Sequence, residues 1–284
     1  MSYDIYSGLL KAFAMPTAIK TDIYFVYDNN NPHFNQLKSN YQIETVASDG
    51  DDFSKAVNLL NWVSKHIYYK GDYDGTLGNS LDLLNYAYDK GELGGINCVA
   101  LATILSECML AVGLKARRVF LMPCSPYDGD FHAVTHVYIN EMKKWVMIDP
   151  TFNLYFSNEQ GEYLSLLELR NNLANQNSVL NNNEAKDISI EYYAKNLFYF
   201  QMFEKSTFSE GNAIGEGQIS ENRTVILSPQ GYNAKQTRLD NIEYRIKLYG
   251  GGDNPRIKSW LERLKREEYI YCSTVDFEES FIIK

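Results

Sequence analysis

This chain has no run approaching the roughly 18 apolar residues that a membrane-spanning helix requires, so no membrane partner is expected. Its first residues, Met1-Ser2-Tyr3-Asp4, lack the basic start of a secretory signal. The apolar stretch from Gly8 to Pro16 is short and is broken by Lys11. There is no long basic run, and the formal net charge is −9, which argues against nucleic acid as a partner. Cysteine is scarce: Cys98, Cys108, Cys124 and Cys272 contain no C-x-x-C and no close pair. A disulfide framework is therefore not expected, and a reducing, cytoplasmic setting is. Only four histidines are available for acid–base work. What is present is ordinary for a globular protein, with 45% hydrophobic and 22% charged residues, and 284 residues are ample for a core.

One stretch stands out: Gly94-Gly95-Ile96-Asn97-Cys98-Val99-Ala100-Leu101-Ala102. The two glycines break the preceding segment. Leu101, Ile104, Leu105, Cys108, Met109 and Val112 then recur at helical spacing, and Gly113 follows where a left-handed residue ends a helix. Cys98 is thus expected in the first helical turn. There the unpaired N–H groups and the positive end of the dipole favour a thiolate. A small buried residue is the plain reading of a lone cysteine; the neighbouring chemistry decides between the two.

Upstream, Thr21 to Tyr27 reads as a strand. Phe53, Ala56, Val57, Leu60 and Val63 read as a helix entered through Asp49-Gly50-Asp51-Asp52, with His66 near its end in a structural role. A shorter helix runs from Ser80 through Tyr88. After Gly113 the period changes to that of strands, over Ala116 to Met122, Val134 to Asn140 and Trp145 to Ile148, the last ended by Asp149-Pro150-Thr151. Helices are expected at Ser165 to Asn175 and Ile188 to Phe203. Strands follow at Thr224 to Leu227 and Ile242 to Tyr249, then a helix at Pro255 to Glu267 and a strand at Tyr269 to Val275. Gly250-Gly251-Gly252 reads as a turn, since no phosphate-loop lysine follows it.

If Asn140 and Trp145 close a four-residue loop, Glu141 to Lys144, then His136 stands directly opposite Asp149. The acid would then fix the imidazole and leave its other nitrogen for a thiol. His132 and His136 also spell H-x-x-x-H, a zinc spacing on a helix. On a strand the two rings start about 13 Å apart, at ~3.3 Å per residue, so a shared metal is not expected.

Gly95-Ile96-Asn97-Cys98 with its helix, Arg117-Arg118-Val119, Thr135-His136-Val137-Tyr138-Ile139 and Trp145-Val146-Met147-Ile148-Asp149-Pro150-Thr151 together resemble the transglutaminase-like superfamily. The resemblance runs from about Phe53 to Asn153 and weakens through Phe203. It implies an α+β, papain-like fold in which a nucleophile helix packs on an antiparallel sheet. It also implies Cys98 as nucleophile, His136 as general base and acid, and Asp149 as its orienter. With no helical His pair and no C-x-x-C, neither cofactor nor metal is expected. The organisation that follows is an extension over 1–50, a catalytic core over 51–203 and an α/β appendage over 204–284. The expected reaction is acyl transfer or hydrolysis at an amide or thioester carbonyl of a peptide, protein or small amide substrate. Asn97 and Val99 stand where animal transglutaminases carry Gln and Trp, and the calcium-site and accessory-domain sequences of those enzymes are not evident. Protein crosslinking is therefore the less favoured reaction. The first oxyanion donor expected is the Cys98 N–H, with Trp62, Asn79 and Asn85 open as side-chain donors. The competing reading is a silent binding or scaffold module that keeps the fold.

Overall fold

The computed structural model describes residues 2–17, 23–73, 78–183, 189–206, 223–250, 252–253, 255–279 and 281–283. Thr21, Ile188 and Gly251, at which three of the sequence expectations touch, lie outside them. In chain order the elements begin with α1 (Ser2–Ala12), β1 (Phe25–Tyr27), α2 (His33–Tyr41), α3 (Ile43–Ala47), α4 (Asp52–His66), α5 (Ser80–Ala87) and α6 (Cys98–Ala111). Next come β2 (Lys115–Met122), β3 (His132–Ile139), β4 (Lys144–Asp149), β5 (Leu154–Ser157), α7 (Leu166–Ala174), β6 (Leu180–Asn181) and α8 (Ile190–Asn196). The chain continues through β7 (Tyr199–Phe203), β8 (Thr224–Leu227), α9 (Ala234–Tyr249), α10 (Pro255–Arg266), β9 (Tyr269–Tyr271), α11 (Thr274–Glu279) and β10 (Phe281–Ile283).

The architecture is α+β. An eight-stranded sheet in the order β6-β5-β4-β3-β2-β7-β8-β9 is antiparallel except where β8 meets β9. As expected, α6 is laid on one face of a mainly antiparallel sheet. Val99 and Ala102 of α6 pack on Ala133, and the Thr135 hydroxyl donates to the Ala102 carbonyl at 3.2 Å. On the opposite face Arg117, His136 and Trp145 are covered by β1 and α11. Both faces of β2–β4 are thus buried, which is why burial along these strands is nearly continuous and takes in Arg117, Arg118, His132 and His136 as well as the apolar residues. β1 pairs in parallel with β10.

Local chemistry fixes the entry to α6. A Cβ at Gly95 would lie 2.6 Å from the Lys70 Cβ, and one at Gly94 would lie 2.8 Å from the Lys90 Cβ. Here glycine is needed for close approach, not for a left-handed backbone. Asn97 caps the helix through Ala100 N–H (3.1 Å) and donates its amide to the Tyr73 carbonyl (3.2 Å). Gly113, at φ +86°, ends it.

Three expectations are corrected. Ile242 to Tyr249 is helical, the second half of α9, because Asn233 caps that helix through Gln236 and the segment continues it. The expected helix through Phe203 stops at Asn196, and Tyr199–Phe203 instead joins the sheet between β2 and β8. The third concerns the hairpin. Its ladder closes at Ile139 and Lys144, one residue earlier on each side than expected, with the turn at 140–143. His136 therefore faces Met147, two residues from Asp149. The cause is tertiary: the Asp52 carboxylate, at the start of α4, accepts from the Asn140 backbone N–H (3.1 Å) and side-chain amide (2.5 Å) and draws Asn140 out of the ladder. Lys143 completes the turn in the left-handed region at φ +53°.

Replacing Asp52 by alanine should cost about 1–2 kcal/mol, the scale of a lost charged hydrogen bond. Urea unfolding measures that cost. Hydrogen exchange at Asn140 should quicken while exchange within α6 does not.

Candidate active site

His132 opens β3 and Asp149 closes β4, so both stand at the hairpin end remote from its turn. Their side chains meet there: His132 Nε2 lies 2.6 Å from Asp149 Oδ2. Asp149 is fully buried, and two further donors hold it. The Tyr193 hydroxyl of α8 donates to Oδ2 at 2.5 Å, and the Thr151 N–H donates to Oδ1 at 2.8 Å. Thr151 belongs to the Asp-Pro-Thr turn that ends β4, so the residues that stop the strand also hold its acid in place.

Cys98, the half-exposed first residue of α6, faces the His132 ring closely enough for its hydrogen bonding and charge to raise the pKa of that ring. With Nε2 taken by Asp149, Nδ1 is the nitrogen left for the thiol. The rings of Phe152, Tyr192 and Tyr193 surround the imidazole at centroid distances of 5.6, 5.4 and 6.1 Å. Burial by itself lowers the His132 pKa. The charge and hydrogen bond of Asp149, with those of Cys98, outweigh it and hold the group up at about 10. His132 is thus an imidazolium at neutral pH, wedged between a carboxylate and a sulfur.

His136, expected in that place, does not reach Asp149. It is fully buried on the face covered by α11, between Trp145 (4.9 Å) and Phe277 (5.3 Å). Its Nδ1 accepts from Arg117 Nη2 at 3.3 Å. Burial, and then the guanidinium, push its pKa well below the ordinary value, so the ring is neutral. Continuing the observed register puts Asp149 opposite Val134, diagonally between the two histidines. Alternation of side chains therefore could not separate them. Only the register and the occupant of each neighbouring space do so, and Arg117 fills the space beside His136.

Trp62, Asn79 and Asn85 have other duties. Trp62 sits in an aromatic group with Tyr41, His66 and Tyr88. Asn79 caps α5 through Asp82 N–H at 2.9 Å, and Asn85 accepts from the Tyr41 hydroxyl at 2.8 Å. The side chains beside Cys98 are instead two tyrosines. Tyr69 has its pKa raised by burial and then by Cys98, and Tyr192 is raised by burial, then by Asp130 and Cys98. Both stay protonated donors. Tyr69 is brought to the site by a short parallel bridge to Ile96. In a chain with 22 tyrosines no sequence signal singles it out.

The other thiols differ from Cys98. Cys108 is buried and its pKa is raised strongly by burial, Cys272 is pushed up to about 12 by burial, and Cys124 is also raised by burial. Among the described residues, no group of three or more His, Cys, Asp or Glu side chains is arranged to hold a metal ion. Nor is any described helix long and apolar enough to cross a membrane.

The two histidines should leave opposite marks on stability. With its pKa depressed, His136 is protonated in the unfolded chain before it is in the native one. Its contribution is present above about pH 6.5 and is lost as pH falls below that value, by about 1.4 kcal/mol at pH 5.5. His132, with its pKa raised, contributes below about pH 6.5, and that contribution is lost as pH rises through its folded value of about 10. A His136→Leu variant should therefore lose less stability than the wild type between pH 7.5 and 5.5, read by urea unfolding at the two values. An identical acid limb would show that His136 is not buried neutral.

Residues 39–150 match the model of the family described as the transglutaminase-like superfamily. No curated protein matches the chain in sequence. Among solved structures, a protein from Cytophaga hutchinsonii provisionally named a cysteine protease is 17% identical over 46% of this chain and 42% of its own, with a TM-score of 0.33. A structure named a TGase is 22% identical over 42% of this chain and 30% of its own, with a TM-score of 0.27. This chain thus spans less than half the length of either. Cys98, His132 and Asp149 all lie within 39–150, the segment over which this chain is transglutaminase-like.

Proposed function

We propose that the protein is a cysteine-dependent acyl-transfer enzyme in which Cys98 is the nucleophile, His132 the general base and acid, and Asp149 the group that orients His132. The observation that carries this reading is the imidazole of His132 held between the Cys98 thiol and the buried Asp149 carboxylate. A hydrogen-bonded nucleophile, base and orienter in that order is the arrangement that activates a weak nucleophile. The match to the transglutaminase-like superfamily supports the same class of chemistry.

With the proton already carried by His132, the Cys98 sulfur attacks an amide or thioester carbonyl as the thiolate. The developing oxyanion is met by the Cys98 backbone N–H at the start of α6, and the protonated Tyr69 hydroxyl is the nearby side-chain donor. The tetrahedral adduct collapses to an acyl-Cys98 thioester, and His132 gives its proton to the departing amine of an amide or thiol of a thioester. Asp149 holds the ring in one tautomer and stabilises the imidazolium without taking the proton. A second acceptor then attacks the thioester: water in a peptidase or amidase, an amine in a transferase. A peptide, protein or small amide is the substrate class.

Cys98 should react with iodoacetamide at pH 6 at least about tenfold faster than Cys124, because the rate follows the thiolate fraction. His132→Ala should remove that advantage, and Cys98→Ser should abolish turnover without unfolding the chain. Asp149→Asn should move the alkaline limb of the labelling profile acidward, since the carboxylate is a main cause of the raised His132 pKa. Peptide mapping after timed alkylation reads the wild type and the two variants that keep Cys98, and an activity assay with circular dichroism reads Cys98→Ser. Equal labelling of Cys98 and Cys124, unaffected by His132, would favour a binding module that keeps the fold.

A further inference from the structure

One buried charge near the site is not used by the chemistry above. Arg118, on β2 opposite Thr135, is 5% exposed and runs beneath α6. Its Nη1 donates to the Thr103 hydroxyl at 2.5 Å, and that hydroxyl donates to the Val99 carbonyl at 2.8 Å. The rings of Phe120 and Phe203 flank the guanidinium at 4.9 and 5.6 Å. A full positive charge is therefore sealed under the first turns of the helix that presents Cys98. By the helix dipole alone this is the wrong end, because cations are favoured at the C-terminus and anions at the N-terminus. The placement is stabilising when the N-terminus itself carries an anion.

We propose that Arg118 is a positioning residue that stabilises the Cys98 thiolate from beneath α6, and that Glu107 on the same helix sets how much of its charge reaches the sulfur. The proposal rests on Cys98 being the nucleophile and adds a second cation to His132. Glu107 is fully buried and is anchored elsewhere, by the Ser80 N–H at 2.7 Å and by His33 Nε2 at 3.2 Å. Burial lowers the Arg118 pKa to about 9, and the charges of Glu107 and Cys98 both act against that fall. Arg118 is thus a cation at neutral pH, placed where the charges of both Glu107 and Cys98 act on it. The other groups facing Cys98 are His132 from β3, Tyr69 from the segment after α4 and Tyr192 from α8, with Asp149 and Asp130 beyond them. Both tyrosines are held neutral, so the positive charge at the sulfur comes from His132 and Arg118.

The test is the pH dependence of Cys98 alkylation by iodoacetamide in the full chain, with Cys124 as internal control. Arg118→Met should raise the midpoint by about one unit, a roughly tenfold loss of rate below it. Arg118→Lys should restore most of the shift. Glu107→Gln keeps the hydrogen-bonding shape, frees the Arg118 charge and should move the midpoint the opposite way. Arg118→Met alone leaves Glu107 buried without that cation, so the Arg118→Met/Glu107→Gln double variant, which removes both charges, guards against misfolding. Its midpoint should lie above that of Glu107→Gln alone. If Cys98 stays fast and dependent on His132 while the double variant and Glu107→Gln share one midpoint, the proposal is overturned and the nucleophile reading stands. If Cys98 is no faster than Cys124 in the wild type, both readings fall.

Discussion

The site depends on one buried carboxylate. Asp149 has no access to solvent, and an unsatisfied charge there would cost several kcal/mol. It is tolerated because three separate parts of the chain donate to it: His132 at the start of β3, Thr151 just past β4, and Tyr193 of α8. The same bonds that stabilise the acid fix the imidazole ring beside Cys98. Geometry and electrostatics of the site are thus one problem with one solution. Tyr193 matters as much as the hairpin, since α8 lies some forty residues downstream and reaches the acid only in the folded chain.

The face of the sheet opposite α6 is organised by a second buried charge, of opposite sign. The Arg117 guanidinium lies 4.2 to 4.6 Å from the ring centres of Phe277, Trp145 and Phe25 and donates to the Phe277 carbonyl at 2.6 Å. Desolvated cation–π contacts are each worth about 2 kcal/mol or more. They tie α11 to the back of the strands that carry the site, and Trp145 adds a bond from Nε1 to the Glu278 carbonyl at 2.9 Å. His136 is part of this lock. Its accepting nitrogen beside a guanidinium is incompatible with a protonated ring, so the residue serves the packing of the sheet.

Much of this was legible in the sequence. Asn97, Cys98 and the apolar period to Gly113 specify a capped helix with the thiol in its first turn, because capping and periodicity are local. The strands β2, β3 and β4 and the acid at the end of β4 follow from β-branched runs stopped by Asp-Pro-Thr. The histidine did not follow. His132 and His136 share strand parity with Asp149, and moving the ladder by one residue on each side exchanges which of them the acid can hold. That movement is set by Asp52, almost ninety residues from Asn140, so no local pattern records it. The strand expected at Ile242 to Tyr249 failed for a related reason, since apolar residues in a short window fit either period.

The sequence by itself determined the local elements that present Cys98 and Asp149, because caps, turns and periodicity act over a few residues. Tertiary structure alone decided the partner of the acid, the tyrosines beside the sulfur and the burial of Arg117 and Arg118. Those outcomes depend on strand register and on which side chain fills each space between elements distant in the chain. Both are settled only when the two faces of the sheet are covered.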